Sequence, residues 1–251
     1  MRDEGMQKAG NFLPRAEPGR GGGRMNLPVE RRSLGLVAAT RPSSVAAEQY
    51  RVLYHRLDRL RSQRALKVVT LTSAVSGEGK SLTVANLSIV AAAADPRRKI
   101  LLVDADLRRP RLGALLDVEE RPGLGEFLLG EVTLPEVVRQ VSGTSLRVIP
   151  AGAPRLDAGS LICGETMRLL LEQARTHWDE VYLDAPPVLP VADGAMLASL
   201  SDGAVLVVKA GATSRALVVQ AIETLSGATL LGCVLNEVEA AEVPYLSNRV
   251  R

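Results

Sequence analysis

Six short apolar runs most constrain what this chain can fold into: KVVTLTS (67–73), KILLVDAD (99–106), LRVIPAG (146–152), EVYLDAPP (180–187), GAVLVVKAG (203–211) and TLLGCVLNEV (229–238). Each is apolar on both faces and is separated from the next by stretches with helical periodicity. A strand without a polar face cannot turn either side to water, so the pattern predicts an α/β fold: a doubly wound, mainly parallel sheet with helices on both faces. The 251 residues are enough to bury such a core in one domain. No apolar stretch approaches the roughly 18 residues of a membrane span. The N-terminus, MRDEGMQKAG, begins with acidic residues and has no apolar centre, so it does not read as a secretory signal. A cytoplasmic location is the expectation.

Residues 1–42 carry the run Gly19, Arg20, Gly21, Gly22, Gly23, Arg24 and prolines at 14, 18, 28 and 42, which reads as a flexible arm with little to bury. Ala46, Tyr50, Leu53, Leu57 and Leu60 recur at four- and three-residue steps and predict a helix over about 43–64. The folded domain is expected over 43–238, followed by a tail over 239–251. Cys163 and Cys233 lie in apolar surroundings and read as reduced core thiols, too few for a disulfide framework or a zinc site. The net charge of +3 and an aromatic content of 3% argue against nucleic acid as a partner. His55 and His177 stand apart from any metal-binding spacing.

The chemistry concentrates in TLTSAVSGEGKSLTVANL (70–87), where Gly77, Gly79, Lys80 and Ser81 fall between an expected strand and an expected helix. Glycines let backbone amides close around phosphate oxygens, and the helix N-terminus adds a favourable dipole. Lys80 is placed to neutralise β- and γ-phosphates and the Ser81 hydroxyl to ligate magnesium. The alternative is a glycine-rich turn without a ligand. Two acidic motifs lie at ends of apolar runs, where doubly wound sheets collect their ligands. They are Asp104 and Asp106 in ILLVDADLRRP, and Asp184 in VYLDAPPV. Such carboxylates hold hydrated magnesium or accept a proton from an attacking hydroxyl; otherwise they cap helices or face solvent.

SAVSGEGKS, LLVDADLRRP, VYLDAPP and RPGLGEFLLGE together resemble the bacterial tyrosine kinases of capsule and exopolysaccharide synthesis, P-loop proteins related to partitioning ATPases. The resemblance covers about residues 43–238. It implies ATP and Mg2+ as cofactors, bound by Ser76, Gly77, Glu78, Gly79, Lys80, Ser81 and Leu82, with Asn236 meeting the adenine base. It implies Lys80 and Asp104 as catalytic residues, Asp104 orienting or deprotonating the acceptor, and Ser81, Asp106 and Asp184 at the metal. Partitioning ATPases carry an additional lysine early in this loop where the chain has Val75, and Arg108, Arg109 and Pro110 also look more like the kinases. The resemblance therefore implies a protein tyrosine autokinase; a nucleotide-dependent switch or scaffold of the partitioning type is the alternative.

The chain departs from the family pattern twice. The family's tail carries several tyrosines, whereas EVPYLSNRVR offers only Tyr245, either a phosphoacceptor or a packing side chain. The family's oligomerisation signature is Glu, two residues, Arg, two residues, Arg; here Glu48 and Arg51 fit and Tyr54 stands third. The helix is therefore either a homo-oligomer contact or simply packed on its own domain. The resemblance also implies activation by a separate transmembrane polysaccharide co-polymerase, with this chain peripheral to the inner face of the membrane through that partner. Arg97, Arg98, Lys99, Arg108, Arg109 and Arg111 are read as one basic cluster, facing such a partner, an anionic membrane or solvent.

Overall fold

A computed structural model describes residues 35–238. All six apolar runs form strands: β1 (Val68–Ser73), β2 (Ile100–Asp104), β4 (Arg147–Ile149), β5 (Glu180–Asp184), β6 (Gly203–Lys209) and β7 (Leu230–Asn236). They pair in parallel, in the order β4-β2-β5-β1-β6-β7. A two-residue strand that the pattern did not predict, β3 (Arg139–Gln140), adds antiparallel to β4 at one edge. β1, β2 and β5 are buried at every position, as central strands covered on both faces must be.

The strands are joined by helices. In chain order these are α1 (Val37–Thr40), α2 (Val45–Arg61), α3 (Lys80–Ala94), α4 (Leu112–Leu116), α5 (Leu124–Leu128), α6 (Leu134–Val137), α7 (Ala158–Ile162), α8 (Glu165–His177), α9 (Asp193–Leu200) and α10 (Arg215–Thr224). α3 follows β1 directly and is buried along most of its length, which its apolar sequence SLTVANLSIVAAAA permits. α2 is capped by Ser44, whose Oγ accepts the Ala47 amide at 3.2 Å. It is shorter than the expected 43–64 because the chain turns at Ser62 to enter β1.

Three expectations need correction. Residues 35–42 do not belong to an arm: Leu36 is fully buried, Val37 is buried, and Asn86 of α3 accepts the Ala38 amide at 2.9 Å and donates to Gly35 O at 3.0 Å. Residues 1–34 lie outside the described residues. Neither cysteine is a core thiol, since both are exposed. Cys163 ends α7 with its sulfur 3.0 Å from that of Met196, and Cys233 sits on β7, which borders only β6 and is therefore less covered than the other runs. The basic cluster is divided as well. β2 lies between Lys99 and Asp104, so Arg97, Arg98 and Lys99 stand at the N-terminal edge of the parallel strands and Arg108, Arg109 and Arg111 at the C-terminal edge.

A buried ionic network at the N-terminal edge docks α2. Glu180, 1% exposed, opens β5 and accepts from Tyr182 Oη at 2.6 Å, from Tyr54 Oη at 3.2 Å and from Arg98 at 2.8 Å. Arg61 pairs with it at 3.0 Å and lies over the Tyr182 ring, 5.4 Å from its centroid. Burial, with Glu180 adding to it, pushes the Tyr54 phenol up to about 12. Burial likewise raises Tyr182 well above the usual phenol range. Both remain neutral hydrogen-bonding phenols. Tyr54, the departure from the family's helix signature, thus faces the chain's own core, while Glu48 and Arg51 pair with each other on the surface at 2.6 Å. Among the described residues no helix is long and apolar enough to cross a membrane. Glu180→Ala should destabilise the fold by about 3 kcal/mol in urea unfolding, because Arg61 loses its buried counter-charge.

Candidate nucleotide site

β1 ends at Ser73 and α3 begins at Lys80, so the intervening loop, 74–79, must reverse the chain over a helix N-terminus. Two left-handed glycines make the turn possible, Gly77 with φ 88° and Gly79 with φ 84°. A Cβ on Gly79 would also run into the amide nitrogen of Asn236. The first amides of α3 have no partner within the helix, and such N–H groups at a helix N-terminus are able to bind an anion.

The Glu78 side chain has a role of its own in the loop. An anionic side chain in an anion-binding loop has to turn away from the ligand, and this one is 2% exposed and faces inward. Its Oε2 accepts the Val75 amide at 2.8 Å, within the loop itself. Its Oε1 accepts from the Thr213 hydroxyl, in the segment joining β6 to α10, and, at 3.4 Å, from the amide of Lys209, which ends β6. Asn236 closes the loop from β7 by donating Nδ2 to Glu78 O at 3.0 Å. Glu78 thus serves the loop's shape, and the Asn236 amide group is engaged with loop backbone. Leu82 turns its side chain to the core, where it packs against Gly35. Ser76 lies on the exposed part of the loop.

The three motif carboxylates and Lys80 converge where β1, β2 and β5 end. Strand register sets Asp104 directly beside Asp184 on adjacent strands. Lys80 Nζ lies 2.9 Å from Asp106 Oδ2, 3.5 Å from Asp184 Oδ1 and 3.3 Å from Ser81 Oγ. Burial pulls the Lys80 ammonium down, but Asp184, Asp106 and Asp104 outweigh it, so its affinity for the proton is raised and it stays charged. Asp184 moves up because burial outweighs the Lys80 charge. Asp104 is pushed up to about 8 by burial and by the facing Asp184, against two backbone amides that favour its anion. Those amides belong to Arg111 (3.1 Å) and Leu112 (2.9 Å), so Asp104 also caps the start of α4. Asp106 Oδ1 holds the Arg109 amide at 3.0 Å.

Asp184 is fully buried and meets the Lys80 ammonium and the Ser81 hydroxyl, and among the described residues no backbone amide donates to it. A buried carboxylate with so few donors suits a hydrated cation, whose waters donate to it. Among the described residues no group of three or more His, Cys, Asp or Glu side chains forms a metal cage.

No protein-family model matches the chain. It is 35% identical over 203 residues to the tyrosine-protein kinase YwqD of Bacillus subtilis, covering 80% of this chain and 85% of that protein. The chain belongs to the bacterial tyrosine-kinase family. It is also 33% identical over 227 residues to the succinoglycan biosynthesis transport protein ExoP of Rhizobium meliloti, covering 88% of this chain but 28% of that longer protein. Among solved structures, the kinase domain of the Escherichia coli tyrosine kinase ETK superposes with a TM-score of 0.76 at 30% identity, covering 81% of this chain and 80% of that one.

RPGLGEFLLGE, a further mark of the family, is structural here. Glu126 of α5 accepts the amides of Gly123 at 2.9 Å and Ala153 at 3.1 Å, tying α5 to the chain leaving β4. Tyr245 lies outside the described residues. The clamp formed by Glu78, Thr213 and Asn236 was not anticipated, although a carboxylate inside a phosphate loop is itself a sign that the side chain serves the loop. Gly79→Ala should weaken ATP binding at least tenfold in a titration, since the new Cβ displaces Asn236 and strains a left-handed position.

Proposed function

We propose that the chain is an Mg-ATP-dependent protein-tyrosine kinase acting in exopolysaccharide or capsule synthesis. The observation carrying this reading is the convergence of Lys80, Asp106 and Asp184 at the mouth of the phosphate loop, within a chain of the tyrosine-kinase family. The amides of 77–82 would cradle the phosphates, with Ser76 at the loop's exposed rim. Lys80 would leave its carboxylate partners to meet the β- and γ-phosphates. Ser81, Asp106 and Asp184 would hold Mg2+, which supplies charge neutralisation at the transferring phosphoryl group. Asp104 would orient the acceptor phenol and take its proton as the new phosphorus–oxygen bond forms and the bond to the ADP oxygen breaks. Its raised proton affinity supports that role. Asn236 would meet the base from the end of β7, beside the loop it closes.

Tyr245 is the acceptor we assign within the chain. A membrane-spanning polysaccharide co-polymerase is the partner we propose, and through it the chain would sit at the inner face of the membrane. The docking of Tyr54 into the chain's own core supports α2 as part of the domain, so a ring of copies would have to use the outer face of that helix.

Incubation of the purified chain with Mg-ATP, followed by mass spectrometry, should find phosphotyrosine at Tyr245. Lys80→Met should abolish it and lower stability in urea unfolding, because Asp106 and Asp184 lose their buried countercharge. ADP release without phosphotyrosine, persisting when the co-polymerase tail is added, would overturn the kinase reading in favour of a nucleotide switch.

A further inference from the structure

The run Arg108, Arg109, Pro110, Arg111 follows the active-site aspartates, yet its three arginines have different environments. Arg108 is neutralised: its Nε lies 2.7 Å from Asp193 Oδ2, and its Nη1 donates to Leu156 O at 3.1 Å. Arg109 and Arg111 are exposed, and their side chains make no ion pair or hydrogen bond with any described residue. Their backbones are nevertheless fixed by the site. Asp106 Oδ1 holds the Arg109 amide at 3.0 Å, and Asp104 Oδ2 holds the Arg111 amide at 3.1 Å. Two cations without a partner among the described residues are thus anchored by their backbones to Asp104, which would face the acceptor, and to the adjacent Asp106, and their guanidinium groups are open to a ligand.

The phosphates are an unfavourable candidate for that ligand. The phosphate loop leaves β1, and β2 lies two strands away across β5, about 10 Å at ordinary strand spacing. Lys80 and the first amides of α3 already serve the phosphates on the β1 side. Arg111 is held at Asp104, the residue proposed to receive the acceptor's proton, and Arg109 at the neighbouring Asp106. An acceptor approaching there meets three buried carboxylates and the nucleotide's own negative charge, so cations flanking its path relieve a repulsion.

We infer that Arg109 and Arg111 select the acceptor segment by pairing with acidic residues N-terminal to the tyrosine. This rests on the kinase reading and names the substrate class for that site. The chain's own tail has the matching pattern: Glu239 and Glu242 precede Tyr245 by six and three residues. Three residues of extended chain span about 10 Å, a distance that extended arginine and glutamate side chains cover between them from a backbone held beside Asp104.

The test is fluorescence anisotropy on the full chain loaded with a non-hydrolysable ATP analogue and Mg2+. It uses the labelled peptide Glu239–Arg251 and a version with Glu239→Gln and Glu242→Gln. The parent chain should bind the acidic peptide about tenfold more tightly, with the preference falling as salt rises. Arg109→Glu with Arg111→Glu should lose the preference and bind instead a peptide carrying Glu239→Lys and Glu242→Lys, a rescue that a merely structural role would not produce. Equal binding of the acidic and neutral peptides, no binding of either, or no rescue would overturn the inference. So would a weakening of ATP analogue affinity in the double variant without any change in peptide preference, which would assign the arginines to the nucleotide. Peptide binding is read without phosphotransfer, so failure of the kinase reading shows separately as absent phosphotyrosine.

Discussion

The Lys80 ammonium makes this architecture possible at its most crowded point. Asp104 and Asp184 are fully buried side by side at the ends of neighbouring strands, and Asp106 is nearly so. Three carboxylates in that volume repel one another and lose their hydration, at a cost far beyond a domain's net stability unless countercharges are present. Lys80 lies within 3.5 Å of two of them, and backbone amides satisfy Asp104. Even so, among the described residues no backbone amide donates to Asp184. A hydrated cation with phosphates would supply further donors and positive charge there.

The loop carrying Lys80 is held from two directions. Glu78 ties it to the segment after β6, and Asn236 ties it to the end of β7. Because those strands lie on the opposite side of β1 from β5 and β2, the loop is braced on one side while the carboxylates form the other wall. At the far end of the sheet a second buried charge, Glu180, is balanced by Arg61 and Arg98 and by two neutral phenols. The same device, an acidic residue at a strand terminus met by cations from neighbouring elements, organises a reactive site at one end and a structural joint at the other. What separates them is the donor set: Glu180 accepts close hydrogen bonds at both oxygens, whereas Asp184 meets only Lys80 and Ser81 among the described residues.

Much of this was legible in the chain. Both-face apolarity specified the six parallel strands, and glycines beside a Lys-Ser pair specified a strand-to-helix phosphate loop, because each depends on local composition and spacing. Asp104, Asp106 and Asp184 were identifiable from their position at the ends of apolar runs. The exposure of Cys233 was not, because its run reads as apolar as the central ones and only strand order shows that β7 borders a single neighbour. Nor was the division of the basic cluster, since proximity in sequence across a strand becomes separation by that strand's length in space.

Sequence alone determined the strand and helix pattern, the loop that reverses over Lys80 and the residue types available for phosphoryl chemistry, all of which follow from short-range spacing and backbone freedom. Only the tertiary structure decided which charges are met and which are not. Arg108 pairs with Asp193 while Arg109 and Arg111 meet no partner among the described residues, Glu78 turns into the fold, and Tyr54 becomes part of a buried network. The partners in each case lie far apart in the chain, and their electrostatic balance exists only once the sheet order and register have brought them together.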